Sequence, residues 1–574
     1  MIRTAAAITL LVAWVAGCTL APRYRRPSAP VAAAYPTGPA YRMAGAAAAA
    51  ASAHGLPAPQ IGWSDFFHDP RLRVLIVEAL ANNRDLRISA IHVQEAAAQY
   101  RIVRAGLLPQ IDAAASQSKS HLPKDMAPLG RTNSIAYSVG LGASAWELDF
   151  WGRIRSLKQQ ALAQYLATAQ ARKAAEISLI AQLADQYLAV RAYDEELEVT
   201  RETLGSADAS FKLAQLQFNV GTGSELTLRE AEGVTEQARA DLASETRLRA
   251  QAQNALVLLL GASLPSNLPA ALPLGQQDLP TDIPAGLPSD LLTGRPDILE
   301  AEQILRGANA NIGAARAAFF PRITLTGEAG TESLTLAGLF KAGSANWSFA
   351  PQISLPIFSA GANRAHLVLT QLQKNEAIAQ YQKVIQTAFR EVSDALAARG
   401  TYDDQIAALQ SYVKSQQRRL DLSQLLYKNG AASYLTVLTA QTALYAAQQS
   451  LISAHLQRLS NLVDLYQYLG GGWIEHTGDA SPPADAARAA SDAGSPQLPQ
   501  VGVVPQVGGL APMAGLAPVC ALAPVCALAP QPARRPAAAA GLADRCSCGR
   551  TSGSAAAPWH RQSIPGPRCP VCRS

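Results

Sequence analysis

The sequence predicts a mainly α chain with a membrane β-barrel. Two internal repeats supply long helices packed side by side, continued by strands too few for one copy to close a barrel. Three observations predict this. A glycine-capped helical tip occurs twice in the same register; two pairs of short runs alternate with period 2; two long proline-free stretches, Arg153 to Asn219 and Gly361 to Asn429, repeat apolar positions every three or four residues.

The tips come first because they set the register. Tyr427-Lys-Asn-Gly430-Ala-Ala-Ser433-Tyr-Leu435 has its weaker copy in Phe218-Asn-Val-Gly221-Thr-Gly-Ser224-Glu-Leu226. Each glycine is placed to take the left-handed C-cap of one helix, and each serine to N-cap the next. Gly221 and Gly430 lie 209 positions apart, as do Gly261 and Gly470, which end the returning helices Leu226 to Leu260 and Leu435 to Leu469. At 1.5 Å per residue each long stretch spans about 100 Å, too long to hide inside a globule, so these helices must pack side by side.

The strands precede the long helices. In the first repeat a helical pattern runs from about Arg71 to Gly106 and stops at Pro109. Period 2 then governs Leu107 to Lys119 and Ser134 to Trp146, and in the second repeat Ile323 to Ala329 and Trp347 to Ile357. Runs of about 10 residues suffice to cross a bilayer as tilted strands. Trp146, Trp151 and Trp347 are placed as interfacial anchors. One chain offers four strands, so several chains must share the barrel.

The ends differ from this body. Arg3, an apolar run from Ala5 to Val15 and then Ala16-Gly17-Cys18 read as an export signal over 1–17 with Cys18 as a lipidation site. Residues 18–62, rich in Ala, Pro and Gly, read as an arm leaving the lipid. The first repeat is assigned to 63–263, a Pro-rich crossover to 264–288, the second repeat to 289–473, and a disordered Ala/Pro-rich tail to 474–574. Between Cys18 and Trp473 there is no cysteine, so the body needs no disulfide. Cys546, Cys548, Cys569 and Cys572 lack the surrounding apolar pattern of a zinc knuckle, and no metal is expected.

Composition excludes other classes. A net charge of +6 on 574 residues is too mild for a nucleic-acid partner. Gly221-Thr-Gly223-Ser224 lacks the Lys of a phosphate loop, the histidines have no zincin spacing, and Glu195-Glu196 and Asp403-Asp404 sit on helical patterns as solvated faces. No enzyme and no cofactor is expected.

Several long segments resemble the TolC-like outer membrane factor family, in its NodT/OprM-like lipoprotein lineage: Gly286 to Glu302, Ala308 to Pro321, Leu148-Asp-Phe-Trp151-Gly-Arg153, Ser433 to Leu438 and Leu469-Gly-Gly-Gly-Trp473. The resemblance spans Cys18 and about 63–473; the tail beyond is a departure from the family pattern. It implies a homotrimer with a 12-stranded outer membrane barrel and a periplasmic helical tunnel. Its partners would be outer membrane lipid, a periplasmic adaptor (membrane fusion) protein and an inner-membrane transporter. The adaptor would meet Gly221, Ser224, Leu226, Gly430, Ser433 and Leu435. In relatives a leucine followed by an Asp and an Arg closes the tunnel. The matching positions here are Leu435, Thr439 and Thr442, with Glu230 and Gly233 as first-repeat counterparts, so the charge pair is missing. Two other readings stand beside efflux of small molecules. A type I duct for polypeptides would co-purify with a different transporter, and a structural lipoprotein would show no conductance.

Overall fold

The computed structural model describes residues 19–41, 56–121, 123, 125, 133–281 and 283–479. Cys18 and nearly all of the predicted tail lie outside the described residues. The first repeat comprises α1 (Pro70–Asn82), α2 (Arg84–Ala105), β1 (Asp112–His121), β2 (Asn133–Glu147), α3 (Arg153–Asn219) and α4 (Glu225–Leu260). The second comprises α5 (Pro288–Gly294), α6 (Pro296–Ala317), β3 (Arg322–Ser333), β4 (Ala345–Ser354), α7 (Ala362–Lys428) and α8 (Tyr434–Tyr468). The two long helices each run 67 residues, and each starts behind a left-handed glycine, Gly152 or Gly361. Those glycines are again 209 positions apart.

The predicted helix from Arg71 to Gly106 is two helices. Asn83 leaves the helical region at φ −59, ψ 131, and its Oδ1 accepts from the Leu86 amide at 2.9 Å, capping α2. The apolar period runs on across the break, which is why the pattern reads as one element. The break lets α2 stand end to end on α4: Nδ2 of Asn83 donates to the Leu259 carbonyl at 2.8 Å, so one side chain joins both helix ends. Gly261 is required there, since a Cβ would lie 2.5 Å from the Asn82 carbonyl oxygen. In the second repeat Arg295 Nη1 donates to the Tyr468 carbonyl at 3.0 Å and splices α6 onto α8 at the equivalent place. Head-to-tail stacking also aligns the helix dipoles.

Each repeat therefore contributes two staves. α3 packs on α2, α4, α6 and α8, whereas α7 packs on α6 and α8. The order is α2/α4, α3, α6/α8, α7, with the first and last as outer staves. The four strands form one antiparallel sheet in the order β1-β2-β3-β4, from pairings such as Ala113↔Leu141, Leu141↔Ala329 and Ile323↔Ile353. β1 follows α2 and β4 precedes α7, so the two unpaired strand edges continue the two outer staves. β1 starts later than predicted and β4 ends earlier, because Pro109 and Pro356 have no amide for a ladder bond. Among the described residues no helix is long and apolar enough to cross a membrane.

The main core joins both repeats. Phe66, Phe67, Leu75, Leu183, Tyr187, Leu260, Ile283, Val392 and Tyr466 are almost fully buried in one cluster, each such side chain contributing about 1.5–3 kcal/mol. Tyr466 stacks on Phe66 at 4.0 Å and donates to the Ile61 carbonyl at 2.6 Å. Residues 474–479, assigned from sequence to the tail, belong to this body. Ile474 is buried, its carbonyl accepts from the Trp63 amide at 2.9 Å, and Asp65 accepts from the Thr477 amide at 2.7 Å.

Candidate functional site

The tips bring the two repeats together. α3 and α7 both end in a paired-turn cap: the amide of Thr222 bonds the Gln217 carbonyl, and that of Ala431 bonds the Leu426 carbonyl, both at 2.9 Å. Gly221 (φ 78) and Gly430 (φ 69) supply the left-handed residue, as their placement predicts. Ser224 caps α4 through its Oγ, which accepts from the Thr227 amide at 3.1 Å. Ser433 stands at the equivalent position of α8 without that bond; its Oγ lies 3.3 Å from the Thr436 hydroxyl instead. A second apolar cluster welds the tips, with Ala214 and Ala231 of the first packed among Leu420, Tyr434, Val437, Leu438 and Leu444 of the second. Tyr427 Oη donates to Gln217 Oε1 across the join at 3.1 Å.

Outside that cluster the tips present apolar side chains to solvent. Leu216, Val220 and Leu226 of the first tip are exposed, as are Leu425, Leu426 and Leu435 of the second. Leu435, Thr439 and Thr442 follow at four- and three-residue spacing and share one exposed face of α8. The threonine hydroxyls are held by their own helix: Thr439 donates to the Thr436 carbonyl at 3.0 Å and Thr442 to that of Leu438 at 2.9 Å. On α4 the same face holds Leu226, half-buried Glu230 and Gly233. Arg229 is engaged by Glu232 at 2.8 Å and Glu225 at 3.5 Å, not by Glu230.

At the other end, the Leu148-Asp-Phe-Trp151-Gly-Arg153 motif turns a strand into a helix. Glu147 ends β2 and accepts both Arg153, at 2.8 and 2.7 Å, and Arg322 of β3, at 2.7 Å. Asp149 accepts the amides of Ile154 and Arg155, satisfying the start of α3 where Gly152 has no side chain to do so. Trp151 donates to the Pro321 carbonyl at 2.8 Å and stacks on Phe320, so it ties this joint together as well as lying near the strand ends. Trp347 of β4 is exposed.

One functional set was missed in sequence. Residues 20–26 run antiparallel to α6: Arg316 holds the Leu20 carbonyl at 3.1 Å, Asn309 the Pro22 carbonyl at 2.7 Å, and Glu302 takes Tyr24 at 3.1 Å and Arg26 at 2.5 Å. Burial alone would raise the Glu302 carboxyl; Arg26 and Arg306 hold it below its ordinary value. Gly313 is open because a Cβ would lie 2.8 Å from the Ala21 amide nitrogen. Asn309, Gly313 and Arg316 sit four and three residues apart on one face, the signal that a helix-face reading of Ala308 to Pro321 could have found. The arm thus begins beside the end of α6, where β3 starts.

The model of a family described as outer membrane efflux protein matches this sequence twice, over residues 75–262 and 287–471, well over half the chain. The chain belongs to that family. The double match falls on the two repeats. Among curated relatives, the solvent efflux pump outer membrane protein SrpC of Pseudomonas putida is 48% identical over 458 residues, 80% of this chain and 96% of the relative. The probable efflux pump outer membrane protein TtgC of the same species is 44% identical over 466 residues, 81% and 95% of the two chains. Among solved structures, the open state of the MtrE outer membrane channel of Neisseria gonorrhoeae is 39% identical with a TM-score of 0.71, over 80% of this chain and all of that one. The outer membrane efflux family thus carries the predicted fold class, helical staves continued by membrane strands.

Proposed function

We propose that this outer membrane efflux protein works as the passive exit duct of a tripartite pump, three copies sharing one 12-stranded barrel and one helical tunnel. The observation that carries this reading is the coincidence of open edges: β1 and β4 are unpaired on the same two sides as the outer staves α2/α4 and α7. An unpaired strand edge facing lipid is untenable, so each edge is covered by the next copy. Exposed Ile88, Ile91 and Ile102 of α2 and Val368, Leu369 and Leu372 of α7 supply apolar surface for the same seam.

The lipid anchor is Cys18, next in chain to an arm whose first residues sit beside the start of β3. Stable attachment needs more than one acyl chain. Cys18→Ala is expected to abolish incorporation of radiolabelled fatty acid. The tips around Gly221, Ser224, Leu226, Gly430, Ser433 and Leu435 meet a periplasmic adaptor, which links the duct to an inner-membrane transporter. Their exposed leucines suit packing against another helical end. The tunnel narrows at Leu435, Thr439, Thr442 and Glu230. The duct itself is tested by conductance of the purified protein in planar bilayers, together with drug susceptibility of a deletion strain. Absence of conductance, or unchanged susceptibility, overturns the reading.

A further inference from the structure

The duplication supplies its own control for a charged cavity beside α3. In the second repeat Asp403 of α7 and Arg458 of α8 pair at 2.6 Å. Their counterparts 209 positions earlier, Asp194 of α3 and Arg249 of α4, pair at 3.0 Å. The second copy adds no further guanidinium to its cleft, which His455 and Gln277 also line. The first copy does. Arg191, one turn before Asp194, and Arg71 of α1 line the same cavity as Arg249, and position 400, the counterpart of Arg191, is glycine.

Three guanidiniums therefore converge on about 90 Å³, with Tyr187 and Gln253 in the wall. Two carboxylates, Asp194 and Asp69, face the three guanidiniums and leave one positive charge in excess. Asp194 is shared by Arg191 and Arg249. Asp69 is buried and occupied by neutral donors: Tyr187 Oη at 2.6 Å, Gln277 Nε2 at 2.9 Å and the Arg71 amide at 2.8 Å. The Arg71 guanidinium reaches the Pro269 carbonyl at 3.3 Å, and Nε of Arg191 is buried without a hydrogen-bond partner. Burial and the facing Arg71 and Arg249 push the Arg191 guanidinium down from its ordinary range. Like charges converging at a half-buried cavity, with a buried donor left open, are costly unless an anion completes them.

We propose that this cavity binds a single phosphate-sized oxyanion, held by Arg71, Arg191 and Arg249. The volume is far below the roughly 300 Å³ at which pockets for drug-sized ligands begin. Guanidinium groups bind tetrahedral oxyanions through paired, charge-assisted hydrogen bonds. The bound anion ties α1 to α3 and α4 just before the Asn83 splice. Its source is either free inorganic phosphate or the phosphate group of a larger molecule entering head first.

The test uses the full-length protein purified in detergent, titrated calorimetrically with inorganic phosphate at constant ionic strength. Saturable binding is expected, with a matching rise in unfolding temperature that chloride does not reproduce. Arg71→Gln, which removes the guanidinium held only by a carbonyl, weakens the affinity by about tenfold or more, Arg71→Lys by less, and Arg458→Gln in the second repeat leaves it unchanged. A parallel titration with glycerol phosphate distinguishes the sources: equal affinity assigns the site to a phosphate head group, and loss of binding assigns it to the free ion. No saturable phosphate binding, or equal affinity in Arg71→Gln, overturns the proposal.

Discussion

The two repeats share a backbone register but fasten it differently, and the difference follows position rather than repeat. The inner stave α6/α8 is spliced by Arg295, which is almost fully buried and also holds Asp297 and Glu391 at 2.6 and 2.9 Å. The outer stave α2/α4 is spliced by the neutral Asn83 alone. The inner strand-to-helix joint is clasped by Glu147 and Asp149. At the outer joint the counterparts of Leu148 and Asp149 are Ile357 and Phe358, both nearly fully exposed. Duplication copied the fold. Charged networks then stand where the surroundings are complete within one chain, and lean or apolar contacts stand at the edges that a neighbouring copy covers.

The splices give the largest test of this comparison. Arg295→Ala leaves Asp297 and Glu391 without their cation and the Tyr468 carbonyl without its donor, and should cost about 3–5 kcal/mol. Asn83→Ala removes one cap and one hydrogen bond and should cost about 1–2 kcal/mol. Urea unfolding of the two purified variants measures both; equal losses would break the comparison.

Truncation comes next and concerns the boundary between body and tail. Ending the chain after Asp479 should leave stability and resistance unchanged. Ending it after Trp473 removes buried Ile474 and the contacts of 475–477 with Gly62 to Asp65, a loss of about 3 kcal/mol. Thermal unfolding of the two truncated proteins separates them.

The tips sharpen the comparison functionally. The hydroxyls of Thr439 and Thr442 are bonded to their own helix; on the proposed assignment of the constriction, closure would then rest on apolar contact at Leu435, with Glu230 bringing like charges together around a symmetry axis. Leu435→Ser should raise closed-state conductance in bilayers, whereas Thr439→Asp combined with Thr442→Arg should lower it. An unchanged conductance in the double variant would mean that these positions do not form the constriction.

The smallest effect is a pH dependence at one carboxyl of α3. Asp185 of α3 has its carboxyl pushed up to about 7, first by burial and then by the neighbouring Asp464. Its counterpart Asp394 of α7 is exposed. A carboxyl with a raised folded value keeps its proton longer when folded, so stability is highest below its unfolded value of about 4 and falls as pH rises to about 7. Asp185→Asn should therefore stabilise at pH 8 and be neutral at pH 4. Unfolding curves at the two pH values decide it.

What was legible in the sequence is what repeats or alternates. The 209-residue register placed both tips and both long helices, and the period-2 runs placed the strands to within a few residues. The splice at Asn83 was hidden because apolar spacing continues across it; the Asn82-Asn83 pair ahead of Arg84-Asp85 is the capping signal that marks it. The seat of the arm was invisible because Tyr24 and Arg26 carry no period of their own and meet Glu302 nearly 280 residues away. Residues 474–479 lack periodicity too, and only tertiary bonds to Gly62 to Asp65 place them. The cluster of Arg71, Arg191 and Arg249 comes from three separate helices, so no local pattern announces it.

The open edges at β1 and β4 have a genetic consequence. No lumen belongs to any one chain, and each copy presents two unfinished sides that only other copies can finish. A chain that folds but carries a damaged edge still enters rings through its intact one, and every ring it enters is spoiled. Edge substitutions should therefore act dominantly when co-expressed with the normal chain, whereas substitutions that prevent folding altogether should be recessive.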